Sequence, residues 1–165
     1  MKRILSLSVL SALLAEGAPI MVQARQVGLN LPVIGGNGMN STKIFDLAKG
    51  ASDNLYVGSP WSASNATPEN TQFIKAYTAK YNAAPDQFAA QAYDALYIAS
   101  QAIKKITLSG DLAKDRNALQ AALPDVKWTG ATGDFQFRRF NDKGYDAQQK
   151  PIVSVTKGTA FVIEK

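Results

Sequence analysis

Leu31-Pro32-Val33-Ile34-Gly35-Gly36-Asn37-Gly38-Met39-Asn40-Ser41 is the stretch on which the fold turns. Val33 and Ile34 are apolar and β-branched, the residue type that suits a buried pleated surface, and Pro32 is tolerated where a strand begins. Three of the next four positions, Gly35, Gly36 and Gly38, are glycine, so the backbone can turn sharply and come close to a neighbour. Ser41 is placed to cap a helix over residues 42–49. Backbone N–H groups and the positive end of that helix are expected to face the loop, where a carboxylate or another polar ligand would find donors. The same residues also make a plain strand-to-helix turn with no ligand. The loop is not a Walker loop, because no Gly-Lys-Ser/Thr follows it. It departs from the dinucleotide fingerprint as well, since Ser41 stands where the third glycine belongs.

Upstream, residues 4–10 mix alternation with continuous apolar character, which suits a buried parallel strand. Glu16-Gly17-Ala18-Pro19 reads as the start of a helix with proline in its first turn. Ile20, Met21, Ala24 and Val27 then recur at helical spacing, and Gly28 stops the helix. Downstream, the helix over 42–49 ends at Gly50, and Asn54-Leu55-Tyr56-Val57-Gly58 reads as a third strand. Strand, helix, strand, helix, strand with short connections predicts an α/β fold, a parallel sheet with flanking helices. Ligands of such sheets gather at the carboxyl ends of the strands, where the glycine loop lies.

After Gly58 the character changes. Residues 59–66 are small, polar and irregular, and read as a crossing. Thr67-Pro68-Glu69 combines a cap, a first-turn proline and an acid near the positive helix end. Phe73, Ile74, Tyr77 and Tyr81 share one face of the helix that follows, which breaks at Asn82-Ala83-Ala84-Pro85. Residues 86–106 form the longest helical candidate, with Ala92, Leu96, Ala99, Ile103 and Ile106 as its expected apolar stripe. Ser109-Gly110-Asp111 is a turn, and residues 116–123 a short helix ended by Pro124. From Trp128 the pattern becomes β: residues 133–137 alternate, Asn141-Asp142-Lys143-Gly144 is a turn signal, and residues 152–155 and 160–163 flank a terminal β-hairpin.

The chain has 165 residues, 46% of them hydrophobic, enough for one ordinary domain or two small lobes. Its net charge is +5, but the basic residues are scattered, and a nucleic-acid footprint needs a clustered stripe. There is no Cys and no His. That excludes thiol chemistry, disulfides, imidazole acid–base work and Ser-His-Asp or Cys-His catalysis. No cofactor is implied, and no metal site beyond carboxylates holding a hard cation. The candidate acids, Asp53, Asp86, Asp94 and Asp134, each have an ordinary reading as a cap, turn or helix residue, and none is paired by spacing. The expectation is a binding protein and not an enzyme.

Several stretches together resemble a known family. They are residues 15–19 and 24–28, Ile34-Gly35-Gly36-Asn37-Gly38-Met39-Asn40-Ser41, Tyr56-Val57-Gly58-Ser59-Pro60-Trp61, Phe88 to Leu96, Thr129-Gly130 with Gly133-Asp134-Phe135, and the terminal hairpin. Their order and spacing resemble the branched-chain amino-acid-type substrate-binding proteins of bacterial ABC transporters, whose fold is the two-lobed type I periplasmic binding fold. The resemblance runs from about Leu7 onward and implies the C-terminal half of such a protein. It implies residues 1–58 as a second-lobe α/β segment, 59–134 as a crossing and helices completing the first lobe, and 135–165 as a β segment returning to the second.

Lys2-Arg3 and the apolar residues after them look like the start of a signal peptide. The resemblance instead implies the family's strand-to-helix junction, in a truncated chain without its own export signal. It implies a periplasmic or extracytoplasmic setting for the family, a small amino-acid-like ligand and an ABC permease as partner. A ligand-sensing receptor domain of the same fold is the alternative. The ligand residues it implies are Gly36, Asn37 and Gly38 on the loop, Phe88 lining an apolar pocket, and Gln91 and Trp61 near the same cleft. In branched-chain binders an acid stands at the position of Asn37 and meets the ligand's ammonium; the amide here is uncharged, which weakens the case for a zwitterionic aliphatic amino acid and leaves amides, aromatic acids and other small polar metabolites open. Helices without their covering lobe would expose apolar faces, which predicts a homodimer or a rearranged chain.

Overall fold

The computed structural model describes residues 7–141 and 144–164. Three parallel strands open the chain: β1 (Ser8–Leu10), β2 (Val33–Gly35) and β3 (Leu55–Ser59), paired Val9 to Ile34 and Ile34 to Tyr56. β7 (Ile152–Lys157) joins β3 antiparallel, and β8 (Ala160–Ile163) closes the sheet in the order β1-β2-β3-β7-β8. The fold is therefore α/β with a terminal hairpin, as the sequence predicts. The part of the first predicted strand before Leu7 lies outside the described residues, as do Asp142 and Lys143 of the predicted turn.

α1 (Leu14–Gln26) and α2 (Lys43–Ala48) bury Ala18, Met21, Ile44 and Ala48 against Val33, Leu55 and Val57. α1 differs from its prediction in start and phase. It begins at Leu14, so Pro19 sits inside the helix rather than in its first turn. Its buried residues are Gly17, Ala18 and Met21, whereas Ile20 and Val27 are exposed. The cause is close packing by small residues: a Cβ on Gly17 would lie 2.6 Å from Met39 Cε, so the helix is phased to put its smallest residue over that methionine.

The described residues form two compact units, residues 7–65 with 151–164, and the described residues of 66–150. The breaks thus fall at 65/66 and 150/151, and the strand that begins at Gly133, with Phe135 and Phe137 packed toward Ile98 and Ala102, belongs to the second unit. That unit contains α3 (Pro68–Tyr81), α4 (Gln87–Ile103) and α5 (Leu112–Ala122), with β4 (Lys127–Gly130), β5 (Gly133–Asn141) and β6 (Gly144–Gln149) in an antiparallel sheet. Thr67 caps α3 by accepting from the Asn70 N–H at 3.3 Å. α5 starts earlier than predicted because Asp111 caps it, accepting from the N–H groups of Ala113 and Lys114.

α4 corrects a second prediction. Its buried residues are Gln87, Ala90, Asp94, Ile98 and Ala102, while Leu96 is 71% and Ile103 45% exposed. The expected stripe of Ala92, Leu96, Ala99 and Ile103 is therefore not the face this unit buries. Ile98 and Ala102 pack with Val126, and Leu119, Trp128, Phe135 and Phe137 close around them. Among the described residues no helix is long and apolar enough to cross a membrane.

Candidate functional site

At the carboxyl edge of the parallel strands, β2 ends at Gly35 and the chain enters a 3-10 turn, Asn37–Met39. The N–H of Met39 donates to the Gly36 carbonyl (3.1 Å), that of Asn40 to Asn37 (3.0 Å) and that of Ser41 to Met39 (3.0 Å). These amides close the turn on itself, so they do not face a ligand as the sequence led one to expect. α2 is only six residues long, and the Lys43 N–H reaches Ser41 Oγ at 3.4 Å. What the turn presents outward is the backbone of Gly36 and the residue Asn37, both exposed.

Two anchors fix this presentation. Met39 is fully buried against Gly17 of α1 and Gly35 of β2. Gly38 lies against the β1–α1 connection, where a Cβ would come 2.7 Å from Leu13 Cδ2 and 3.3 Å from the Ala12 carbonyl oxygen. Room for a side chain there is tight, and the turn is held beside residues 11–13, which leave the carboxyl end of β1. Glu16 adds an acid in the first turn of α1.

The remaining predicted site residues fall in both units. Trp61 follows β3, and its side chain is buried at 5% exposure. Its carbonyl accepts from Asn40 Nδ2 at 3.1 Å and from Ser59 Oγ at 2.7 Å. Phe88 and Gln91 lie in the first turns of α4, one helical turn apart and so on one face; Phe88 is 53% exposed and Gln91 half-buried. The structure thus groups Gly36, Asn37 and Gly38 on one turn, and Phe88 with Gln91 on one helix face. Asn40 and Ser59, both buried, are participants that the sequence reading passed over. Their signal was faint: an amide and a hydroxyl beside glycine-rich and irregular stretches read as surface residues.

Three of the four candidate acids hold backbone, and Asp134 holds a hydroxyl. Asp86 Oδ1 accepts from the Ala89 N–H at 3.0 Å and caps α4. Asp53 accepts from the Gly158 N–H, and Asp134 from the Thr129 hydroxyl. Asp94, 3% exposed, accepts from Trp128 Nε1 (3.1 Å), the N–H groups of Ala131 (3.0 Å) and Thr132 (2.7 Å), and Thr132 Oγ1 (2.6 Å). Among the described residues no group of three or more acids is placed to hold a metal ion. Two clefts lie away from the glycine turn. One of about 600 Å³ covers the polar face of the three-stranded sheet around Lys127, Gln136 and Gln148. One of about 670 Å³ lies around Arg25, Lys49 and Asn54, at the ends of α1 and α2.

Comparison with known proteins places this geometry. A family model described as periplasmic binding protein matches residues 8–158. No curated protein sequence matches. Among solved structures, a branched-chain amino acid transporter substrate-binding protein, LivJ, from Streptococcus pneumoniae in complex with isoleucine is 26% identical, with a TM-score of 0.76, over 94% of this chain and 44% of its own. A leucine-binding protein, LivK, from Thermotoga maritima is 23% identical, with a TM-score of 0.80, over 95% of this chain and 43% of its own. A solute-binding protein from R. palustris in complex with benzoate is 21% identical, with a TM-score of 0.75, over 94% and 42%. The last two show the fold alone. The chain spans less than half the length of each of these structures.

Proposed function

This chain belongs to the periplasmic binding protein family, and on that premise we propose that it is part of the solute-binding component of an ABC transporter for amino acids or related small polar metabolites. The observation that carries the reading is the Gly36-Asn37-Gly38 turn, exposed at Gly36 and Asn37 and held rigidly at the carboxyl edge of a parallel sheet, the edge where α/β sheets take their ligands. On this reading the protein binds and does no chemistry, and its candidate carboxylates hold structure: Asp53, Asp86 and Asp94 accept from backbone N–H groups and Asp134 from the Thr129 hydroxyl. The setting is the periplasm or its equivalent, and the partner an ABC permease. On the same reading the first unit derives from the later lobe, and residues 66–150 complete the earlier one. Phe88, Gln91 and Trp61 are proposed contacts on the strength of the resemblance.

An uncharged amide at position 37 favours ligands that do not depend on an acid to meet an ammonium group. A ligand held by this turn alone keeps most of its surface in water and leaves polar groups unpaired, so affinity for this chain is expected to be weak. The test is an NMR titration with leucine, isoleucine, phenylalanine, an aliphatic amide and benzoate. Shifts confined to Gly36, Asn37, Gly38 and their neighbours, saturating only near ~1 mM or above, are expected for at least one of them. Shifts on the three-stranded sheet with a silent turn would overturn the site, and submicromolar saturation would overturn the claim that the turn is an incomplete site. The exposed apolar residues of α4, Leu96 and Ile103 among them, further support self-association of the chain, which sedimentation at increasing concentration reads directly.

A further inference from the structure

Consecutive residues hold the glycine turn from opposite sides. Met39 enters the apolar core at 0% exposure, and Asn40 turns into a buried polar network. Asn40 Nδ2 donates to Ser59 Oγ at 2.7 Å and to the Trp61 carbonyl at 3.1 Å. Ser59 Oγ donates to the same carbonyl at 2.7 Å and accepts from the Trp61 N–H at 3.1 Å. The hydroxyl thus uses its one donor and both acceptor positions, and the carbonyl accepts twice. Asn40, Ser59 and Trp61 are 6%, 2% and 5% exposed, so none of these bonds can be exchanged for water without opening the site. Residues 59–61 begin the segment by which the chain leaves its first unit, at the 65/66 boundary.

We propose that Asn40 is a positioning residue that couples the conformation of the Gly36–Gly38 turn to the backbone of residues 59–61, so that a small-molecule ligand engaging the turn is felt by the segment that leaves the unit. This rests on the reading of the turn as a ligand contact. Displacing the turn alone lengthens bonds of 2.7 and 3.1 Å inside a dry network and takes one of two donors from the Trp61 carbonyl. Moving turn and segment together keeps every bond. The network therefore permits a joint shift and resists a separate one.

Amide hydrogen exchange of the whole chain, followed by NMR without ligand, tests the coupling independently of any binding. In Asn40→Leu, the amides at positions 39, 40, 41 and 61 are expected to exchange together roughly tenfold faster, while Tyr56 and Val57 in β3 stay within about twofold. In Ser59→Ala, which leaves the direct Asn40–Trp61 bond but removes the acceptor of the Trp61 N–H, the amides at positions 39, 40 and 41 are expected to accelerate by a smaller factor than in Asn40→Leu. Acceleration at position 61 with an unchanged turn, or equal acceleration throughout the unit, would overturn the proposal. L-Leucine supplies a second arm. A response at Gly36–Gly38 that reaches the Trp61 amide in the natural chain and is lost in Asn40→Leu supports the coupling; one that stops at the turn in the natural chain overturns it. A turn silent to leucine and to every other ligand of the titration counts against the ligand reading, and the exchange result then decides the coupling.

Discussion

Asn37 is where chemistry and geometry meet most directly. The exposed turn offers an amide where the resemblance expects an acid. Asn37→Asp is therefore expected to strengthen binding of ligands carrying an ammonium group by up to about tenfold, and to leave benzoate weaker, because a charge-assisted hydrogen bond replaces a neutral one. Parallel titrations of leucine and benzoate on both forms measure it; equal effects on the two would refute the role. The flanking glycines separate by proximity. A Cβ on Gly36 meets nothing within 4 Å, and the residue has ordinary extended backbone, so Gly36→Ala is expected to change stability by less than ~0.5 kcal/mol. Gly38→Ala presses on Leu13 and the Ala12 carbonyl and is expected to cost about 1–2 kcal/mol in denaturant unfolding. The density of glycine made the turn legible in the sequence. Asn40 was not legible, because its partners lie 19 and 21 residues away and only folding brings them to it.

At the scale of an element, α4 shows how a helix can be orientated by a polar residue. Its apolar periodicity points to Leu96 and Ile103, yet the unit buries the Asp94 face. The carboxylate of Asp94 gathers four donors from Trp128 and the Gly130–Gly133 turn, and that network outweighs the larger apolar side chains in fixing the phase. A pattern scored on hydrophobicity could not see this, since Asp94 counts as polar and Ala90 and Ala102 count little. Asp94→Ala is expected to cost about 3 kcal/mol, the scale for stranding several buried donors, read by the unfolding transition of Trp128 fluorescence. Gly130→Ala is expected to be at least as damaging, because its Cβ would sit 2.0 Å from Asp94 Oδ1. On the same helix, a side-chain hydrogen bond with Tyr97, helped by burial and by the charges of Tyr97 and Asp94, pushes the Tyr93 phenol up from 10.0 to about 12. The unfolded phenol ionises first, so this group's contribution to stability is intact below pH 10 and is lost as pH rises toward 12. Spectrophotometric titration is expected to show Tyr93 ionising late, and Tyr97→Phe to return it toward 10.

Across the whole molecule, the order of elements was readable and the division of the chain was less so. Short connections and β-branched runs announced the parallel strands and the final hairpin. The attachment of residues 135–150 to the helices could not be read, because the apolar face of β5, with Phe135 and Phe137, finds its partners in α4 and α5 by packing rather than by any local signal. Each unit holds one of the two tryptophans, Trp61 and Trp128, so the two can be followed separately. A chain ending at residue 150 is expected to lose the native emission of Trp61, since it lacks the strand that pairs with β3; retention of that emission would refute the dependence. The long-range pairing also bears on synthesis. β3 meets β7 through Tyr56 and Val155, and the Leu55 N–H reaches Thr156 Oγ1 across 101 positions. As the chain leaves the ribosome, the three parallel strands emerge before β7, and their sheet has an open edge at β3 until residues 152–157 follow. The inserted unit is complete before that. The sheet that starts earlier is thus finished after the unit inserted into it, and in the interval its β3 edge is a surface that chaperones and other nascent chains can reach.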